Sequence, residues 1–192
     1  MKKIILASQS PRRKLLLEWA EIDFDIIIQS TDENYPASLQ PQEVAIYIAK
    51  QKALAVLHSE AFKKHQHNTP VLAADTIVVC EGRIMGKPVD KVDAIELLSL
   101  LSGKKHLVIT GVVIIQEKEA IAFADITEVW FHELTNEQIE FYVEKYKPYD
   151  KAGAYGIQEW IGVVGIEKIN GDFYNVMGLP VSRVVKALSE MQ

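Results

Sequence analysis

The sequence predicts an α/β fold built on a mixed β-sheet flanked by helices, and three observations predict it. Short apolar runs of strand character alternate with helical periodicities along the chain. Two pairs of neighbouring strand-like segments are joined by turns too short for a parallel crossover, at Glu81-Gly82 and at QEKE (116–119), so the sheet is not purely parallel. Nearly half of the 192 residues, 48%, are apolar, which is enough for a sizeable core, and the length suggests one domain.

The elements follow in order. IILA (4–7) reads as a strand, and Pro11 to about Ala20 as a helix with Ser10 as N-cap and Pro11 at the first helical position, where its missing N–H costs nothing. DFDIII (23–28) reads as a second strand, QSTDENYPASLQP (29–41) as a polar loop, and Pro41 to His58 as a long apolar helix. EAFKKHQHNTP (60–70) is a polar connector whose His65 and His67 read most simply as solvated. VLAADTIVVCEGRIMGKP (71–88) forms a hairpin about Glu81-Gly82, and DKVDAIELLSLL (90–101) an amphipathic helix closed by Gly103. HLVITGVVII (106–115) and EAIAFADITEVWF (119–131) are two long strands. Thr135 and Gln138 make a capping box that opens a helix to about Lys145. PYDKAGAYGIQ (148–158) is a glycine-rich loop, followed by a strand near 161–169, a turn at NGDFYN and a last helix from Pro180.

Charge and composition narrow the function classes. The formal net charge is −5 and there is no long basic run, which argues against binding nucleic acid through its phosphate backbone. Cys80 is the only cysteine, so no intrachain disulfide forms, and the thiol reads as a small core residue. The opening MKK-IILA is too short for a signal peptide, and no apolar run approaches the roughly 20 residues that span a bilayer. The expectation is a soluble cytoplasmic protein with no membrane partner.

Three stretches carry chemistry. Arg12 and Arg13 stand in the first turn of a helix, where the partial positive charge and outward N–H groups disfavour cations by on the order of 0.3–1 kcal/mol each. Either both arginines reach solvent and bear that penalty, or the bend after the first strand receives an anion, with Ser8 and Ser10 adding hydroxyl donors and the guanidinium forks matching phosphate oxygens. Asp75-Thr76 interrupts the apolar run VLAADTIVV, although aspartate is depleted in strands and rarely buried alone. If Cys80 opposes Arg83 across the hairpin, Thr76 opposes Lys87 and Asp75 lies diagonally beside it. That gathers a plain Asp–Lys pair, or a metal-binding and water-activating carboxylate next to a phosphate-binding lysine. Lys52 and Lys50 both sit among apolar helix neighbours, and either can snorkel or reach a buried anion. Glu33 has acidic rivals in Asp32 and Glu43, with solvation as the default. In DKAGAYGIQ, Gly153 and Gly156 permit close approach of backbone to a ligand, Tyr155 offers a ring for base stacking, and Gln158 offers a paired donor and acceptor for a base edge; the alternative is a plain structured loop.

Taken together, LASQSPRRKLLLE (6–18), AADTIVV (73–79), GKP with Asp90 (86–90), SGKKHLVITGV (102–112), YDKAGAYGIQ (149–158) and GDFYNVMGLP (171–180) resemble the Maf family of nucleoside triphosphate pyrophosphatases over nearly the whole chain, as a single Maf-like domain spanning 1–192. The resemblance implies an inosine triphosphate pyrophosphatase-like fold with two lobes and a central cleft. It implies hydrolysis of a nucleoside triphosphate between the α- and β-phosphates, with a divalent metal, Mg²⁺ or alternatively Mn²⁺. Carried onto this sequence, Asp75 matches the catalytic proton acceptor. Arg12, Thr76 and Gln158 match positions tied to substrate choice. Ser8, Arg13, Glu33, Lys52 and Lys87 match the phosphate- and metal-binding set, with Glu33 and Asp75 toward the metal. GAYGIQ resembles the branch acting on dTTP and UTP rather than the one acting on 7-methyl-GTP, and Glu159-Trp160 stands where many relatives have glycine after the glutamine. The family's link with septum formation and arrest of cell division leaves a rival reading, a regulatory module that binds a nucleotide without turnover. The same chemistry on 7-methyl-GTP or damaged purine triphosphates is another, and a homodimer is compatible with the resemblance.

Overall fold

A computed structural model describes residues 2–191. Seven strands, β1 (Ile4–Leu6), β2 (Phe24–Ile26), β3 (Val71–Cys80), β4 (Arg83–Met85), β5 (Lys105–Gln116), β6 (Glu119–Phe131) and β7 (Ile166–Asn170), form one twisted mixed sheet in the order β2-β1-β3-β5-β6-β7, with β4 paired to β3. β1 runs parallel to both β2 and β3, with Ile5 opposite Asp25 and Val71, whereas the β3–β4 and β6–β7 pairs are antiparallel. The chain divides into two compact units: the first takes the chain up to Asp75, Thr110–Asp125 and the chain from Gly178, the second Thr76–Ile109 and Ile126–Met177.

In the first unit, α1 (Pro11–Trp19), α2 (Pro41–Leu57) and α7 (Val181–Glu190) accompany the strands. α2 opens with a capping box in which Glu43 reaches back to the Gln40 N–H at 2.8 Å. Ala49, Ala53 and Val56 of this helix pack with Ile5, Val71, Ala73 and Val113 of the strands and with Ala7 just after β1. Small residues bring helix and strand close: a Cβ on Gly111 would stand 2.3 Å from the Ala45 carbonyl carbon.

In the second unit, α3 (Lys91–Leu101) and α4 (Asn136–Tyr146) pack together. Asp90 and Thr135 cap them by accepting from the Asp93 and Gln138 N–H groups, and Gly103 follows α3 at φ +66. Glu81 and Gly82, at φ +50 and +76, make the hairpin turn that the sequence predicts.

Three expectations are corrected here. Residues 160–165 form a helix, α5 (Trp160–Gly165), and only Ile166–Asn170 is strand; Gly162 rests so close to the Ile157 carbonyl that no side chain fits, and this local packing overrides the strand preference of its two valines. The NGDFYN segment is not a simple turn but leads into a short helix, α6 (Phe173–Met177), where the Asp172 carboxylate accepts the Tyr174 N–H at 2.8 Å. β4 ends at Met85, so the ladder stops at Val78 opposite Met85 and Thr76 does not pair with Lys87. The chain leaves the sheet at Gly86, whose carbonyl accepts the Gly153 N–H at 3.0 Å, and Pro88 has no N–H with which to continue.

Candidate active site

The first unit gathers most of the residues that the sequence singles out. β1 delivers the chain to a bend, Ala7–Ser10, and Pro11 starts α1. The Ser8 hydroxyl oxygen organises the bend by accepting the Ser10 N–H at 3.2 Å and the Arg13 guanidinium at 3.1 Å. Arg13 Nε donates to the Gly178 carbonyl at 2.8 Å, from a residue that adopts φ +118. Among the described residues no side chain caps α1, and no acidic residue lies in its first turn. Of the two arginines, Arg13 is buried, at 8% exposure, and Arg12 is half-buried, so the pair does not simply reach into solvent. Burial pulls the Arg13 guanidinium below its ordinary value; Asp75 opposes that shift most strongly, Arg12 adds to it, and Glu33 opposes it.

Asp75 and Glu33 both pair with the Lys52 ammonium. Lys52 Nζ stands 2.7 Å from Asp75 Oδ1 and 2.8 Å from Glu33 Oε1. This corrects the expected partner: the ammonium on Asp75 comes from α2 rather than from Lys87. It also chooses among the rivals. Lys50 is exposed, Glu43 is spent on the capping box, and Asp32 accepts from the Asn34 N–H and side-chain amide at 3.0 and 2.8 Å. Asp75, at 8% exposure, is the buried member of the pair, and Glu33 is half exposed.

Two carboxylates converging on one point charge are an oxygen donor pair suited to a hard divalent cation that completes its shell with substrate phosphates and water. Among the described residues no cluster of three or more His, Cys, Asp or Glu could hold an ion unaided.

The second unit holds Thr76, Lys87 and Gln158. Thr76 is half-buried on β3; Lys87 and Gln158 are exposed, each in a non-helical, non-strand segment. Tyr155 does not offer a stacking face. It is buried among Phe131 and His106, with its hydroxyl 2.7 Å from His106 Nε2. Burial raises the phenol well above its ordinary value and pushes the imidazole down to about 4, so both partners are neutral at neutral pH. Sequence reasoning missed Gly178, which holds Arg13 through a carbonyl and so leaves no trace in its side chain. It also missed Tyr142, whose fully buried ring reads as ordinary core while its hydroxyl bonds Glu159 and the Gly156 N–H.

A family profile described as Maf-like protein matches residues 3–191. The chain belongs to the Maf family. Proteins named dTTP/UTP pyrophosphatase from Cytophaga hutchinsonii, Porphyromonas gingivalis and Bacillus anthracis are 50%, 45% and 48% identical to it. The alignments cover 98%, 98% and 99% of this chain, and 84%, 94% and 96% of those relatives. The Maf chain also shares its fold with the Staphylococcus aureus Ham1 protein, at a TM-score of 0.51 and 17% identity, with 98% of each chain covered. Among the described residues no helix is long and apolar enough to cross a membrane.

Proposed function

We propose that this Maf protein is a nucleoside triphosphate pyrophosphatase that hydrolyses dTTP and UTP to the nucleoside monophosphate and pyrophosphate. The names of its relatives at 45–50% identity support the activity and the substrates. The observation that carries the mechanism is the Lys52 ammonium shared by Asp75 and Glu33 in the unit that also buries Arg13.

Phosphoryl chemistry is mostly positioning and neutralisation of about four negative charges on a triphosphate. Arg13, oriented by Ser8 and the Gly178 carbonyl, presents a rigid fork suited to phosphate oxygens, and Arg12 adds a second cation beside it. Lys52 neutralises the carboxylate pair and is the third cation for the phosphate tail. Ser8 and Ser10 donate to the same tail from the bend. Asp75 orients the attacking water and takes its proton as the water oxygen bonds to the α-phosphorus, the bridging bond to the β-phosphate breaks and pyrophosphate leaves. A divalent cation, Mg²⁺ in this reading, would be held by Asp75 and Glu33 and would supply further neutralisation of phosphate charge when bound. To Lys87 we assign a phosphate-binding role, and to Arg12, Thr76 and Gln158 the choice of substrate, as the family resemblance implies.

A pyrophosphate-release assay with Mg²⁺ on dTTP, UTP, ITP and 7-methyl-GTP tests this directly. The expected order places dTTP and UTP first, and Asp75→Asn lowers turnover by about 10²–10⁴-fold, as loss of a general base does. No pyrophosphate from any of the four would favour a nucleotide-binding regulatory module, and a preference for ITP or 7-methyl-GTP would reassign the substrate. Near-normal turnover in Asp75→Asn would remove Asp75 from the chemistry.

A further inference from the structure

The loop that carries Gln158 is tied down more heavily than a connector requires. Residues 153–157 are all buried, and Gln158 is the first exposed residue after them. The Gly153 N–H donates to the Gly86 carbonyl at 3.0 Å, and Tyr155 is fixed through its hydroxyl to His106 on β5. The Gly156 N–H donates to the Tyr142 hydroxyl at 3.1 Å, and that hydroxyl in turn donates to Glu159 Oε2. The other carboxylate oxygen, Glu159 Oε1, lies 3.2 Å from Lys151 Nζ, so an ion pair closes the loop from end to end. Lys151 is 7% exposed and also pairs with Asp150, which stands half in solvent. Tyr142 itself is fully buried on α4 and stacks on Tyr146 at 5.0 Å between ring centroids.

Gly156 shows where this leads. A Cβ there would stand 3.0 Å from Gln158 Nε2 and 3.0 Å from the Glu159 carboxyl carbon, so the glycine leaves room for the glutamine amide to lie beside the held carboxylate. A buried ion pair is weak support for stability, because desolvation offsets its attraction. What it gives is a defined geometry, and a side chain that reads a base edge needs its position held to about half an ångström by its neighbours.

We propose that Tyr142, Lys151 and Glu159 are positioning residues that hold Gln158 for base recognition, so that the preference for a pyrimidine triphosphate depends on a phenol hydroxyl that never touches the substrate. The inference rests on the proposed pyrophosphatase function.

The test measures kcat and KM for UTP and ITP in the wild-type protein, Tyr142→Phe, Glu159→Gln, Gln158→Ala and the double variant Tyr142→Phe/Gln158→Ala. Tyr142→Phe keeps the ring and removes both hydroxyl contacts. It is expected to raise KM for UTP about five- to tenfold with kcat within about twofold, and to lower the UTP-over-ITP preference by a similar factor. Glu159→Gln keeps an acceptor for the hydroxyl but breaks the Lys151 pair, and is expected to do the same to a smaller extent. In the Gln158→Ala background Tyr142→Phe should cost no further preference, because the residue it positions is gone. Two results overturn the proposal: an unchanged UTP-over-ITP preference in Tyr142→Phe and Glu159→Gln, or a double variant whose loss is the product of the single losses. Should Tyr142→Phe not fold, an unchanged preference in Glu159→Gln alone overturns it. A wild-type protein that releases no pyrophosphate from UTP would refute the function itself, and this inference with it; an active wild type with preference intact in the variants refutes only the brace.

Discussion

Replacing Lys52 by methionine removes the ammonium that pairs with both Asp75 and Glu33 while keeping an unbranched chain among the apolar residues of α2. The two lost contacts are unequal. Glu33 is half exposed, and its pair with Lys52, at 2.8 Å, is screened by water, so it contributes about 0.2–1 kcal/mol. Asp75 has a side chain only 12% exposed, at 2.7 Å from the ammonium. Stripping the partner from a buried charge costs about 3–5 kcal/mol. Arg13 still lends Asp75 favourable charge, and a little water reaches it, so about 2–3 kcal/mol is the reasoned loss at this carboxylate. The sum, about 3 kcal/mol, corresponds to a melting temperature lower by about 6–12 °C in a chain of this size. Thermal unfolding in EDTA reads that gap. Mg²⁺ should narrow it, since an ion bound only by the folded carboxylates stabilises the folded state by mass action, and the ammonium no longer occupies them. A melting temperature within about 2 °C of wild type in EDTA would show that solvent already neutralises the pair, and the reasoning about Asp75 would fail.

Three further outcomes follow from the same structure. Gln158→Ala should shift the ranking of dTTP, UTP, ITP and 7-methyl-GTP more than it lowers the best turnover; an equal loss on all four counts against base reading. Gly111→Ala drives a methyl group to within 2.3 Å of the α2 backbone and should cost about 3 kcal/mol or more in urea unfolding, at the upper end of overpacking; an unchanged midpoint would contradict that contact. His106 takes its proton only near pH 4 in the folded state, whereas the unfolded chain takes it near 6.5, so acid stabilises the unfolded state and this contribution to stability falls as pH drops through that window. The loss is about 2 kcal/mol at pH 5, and His106→Gln should flatten the difference between urea midpoints at pH 7.5 and 5; parallel pH dependence in both proteins refutes it.

What could be read in the sequence was local, and what could not was a matter of phase. Ser10-Pro11, the Thr135–Gln138 box, Glu81-Gly82 and Gly103 are signals contained in a few adjacent residues, and each lies where it points. Asp75 stood out because a carboxylate interrupts an apolar strand. Helical pattern alone did not choose Lys52 over Lys50, which only the family resemblance singled out, because α2 carries apolar residues on almost every side and its neighbours do not say which lysine faces the strands. Glu33 was not separable from Asp32 by position in a loop; the difference is that Asp32 closes on its own chain at Asn34 while Glu33 reaches Lys52. Residues 160–165 misled because valine and isoleucine favour strands, while the deciding contact, Gly162 against the Ile157 carbonyl, is a property of folded backbone.

The first unit's charges also speak to why the site contains acids at all. Arg12, Arg13 and Lys52 against Asp75 and Glu33 leave a surplus of one positive charge for a triphosphate of about four negative ones. A module that only had to hold a nucleotide would do better without the two carboxylates, since each repels the phosphate tail and Asp75 adds the desolvation of a buried charge. A divalent cation held by the pair would change the balance, bringing the assembly to about one residual negative charge. On the proposed function, carboxylates that repel the ground-state phosphates have their use in holding a metal or taking a proton, which is where binding energy acts on the transition state rather than on the ligand.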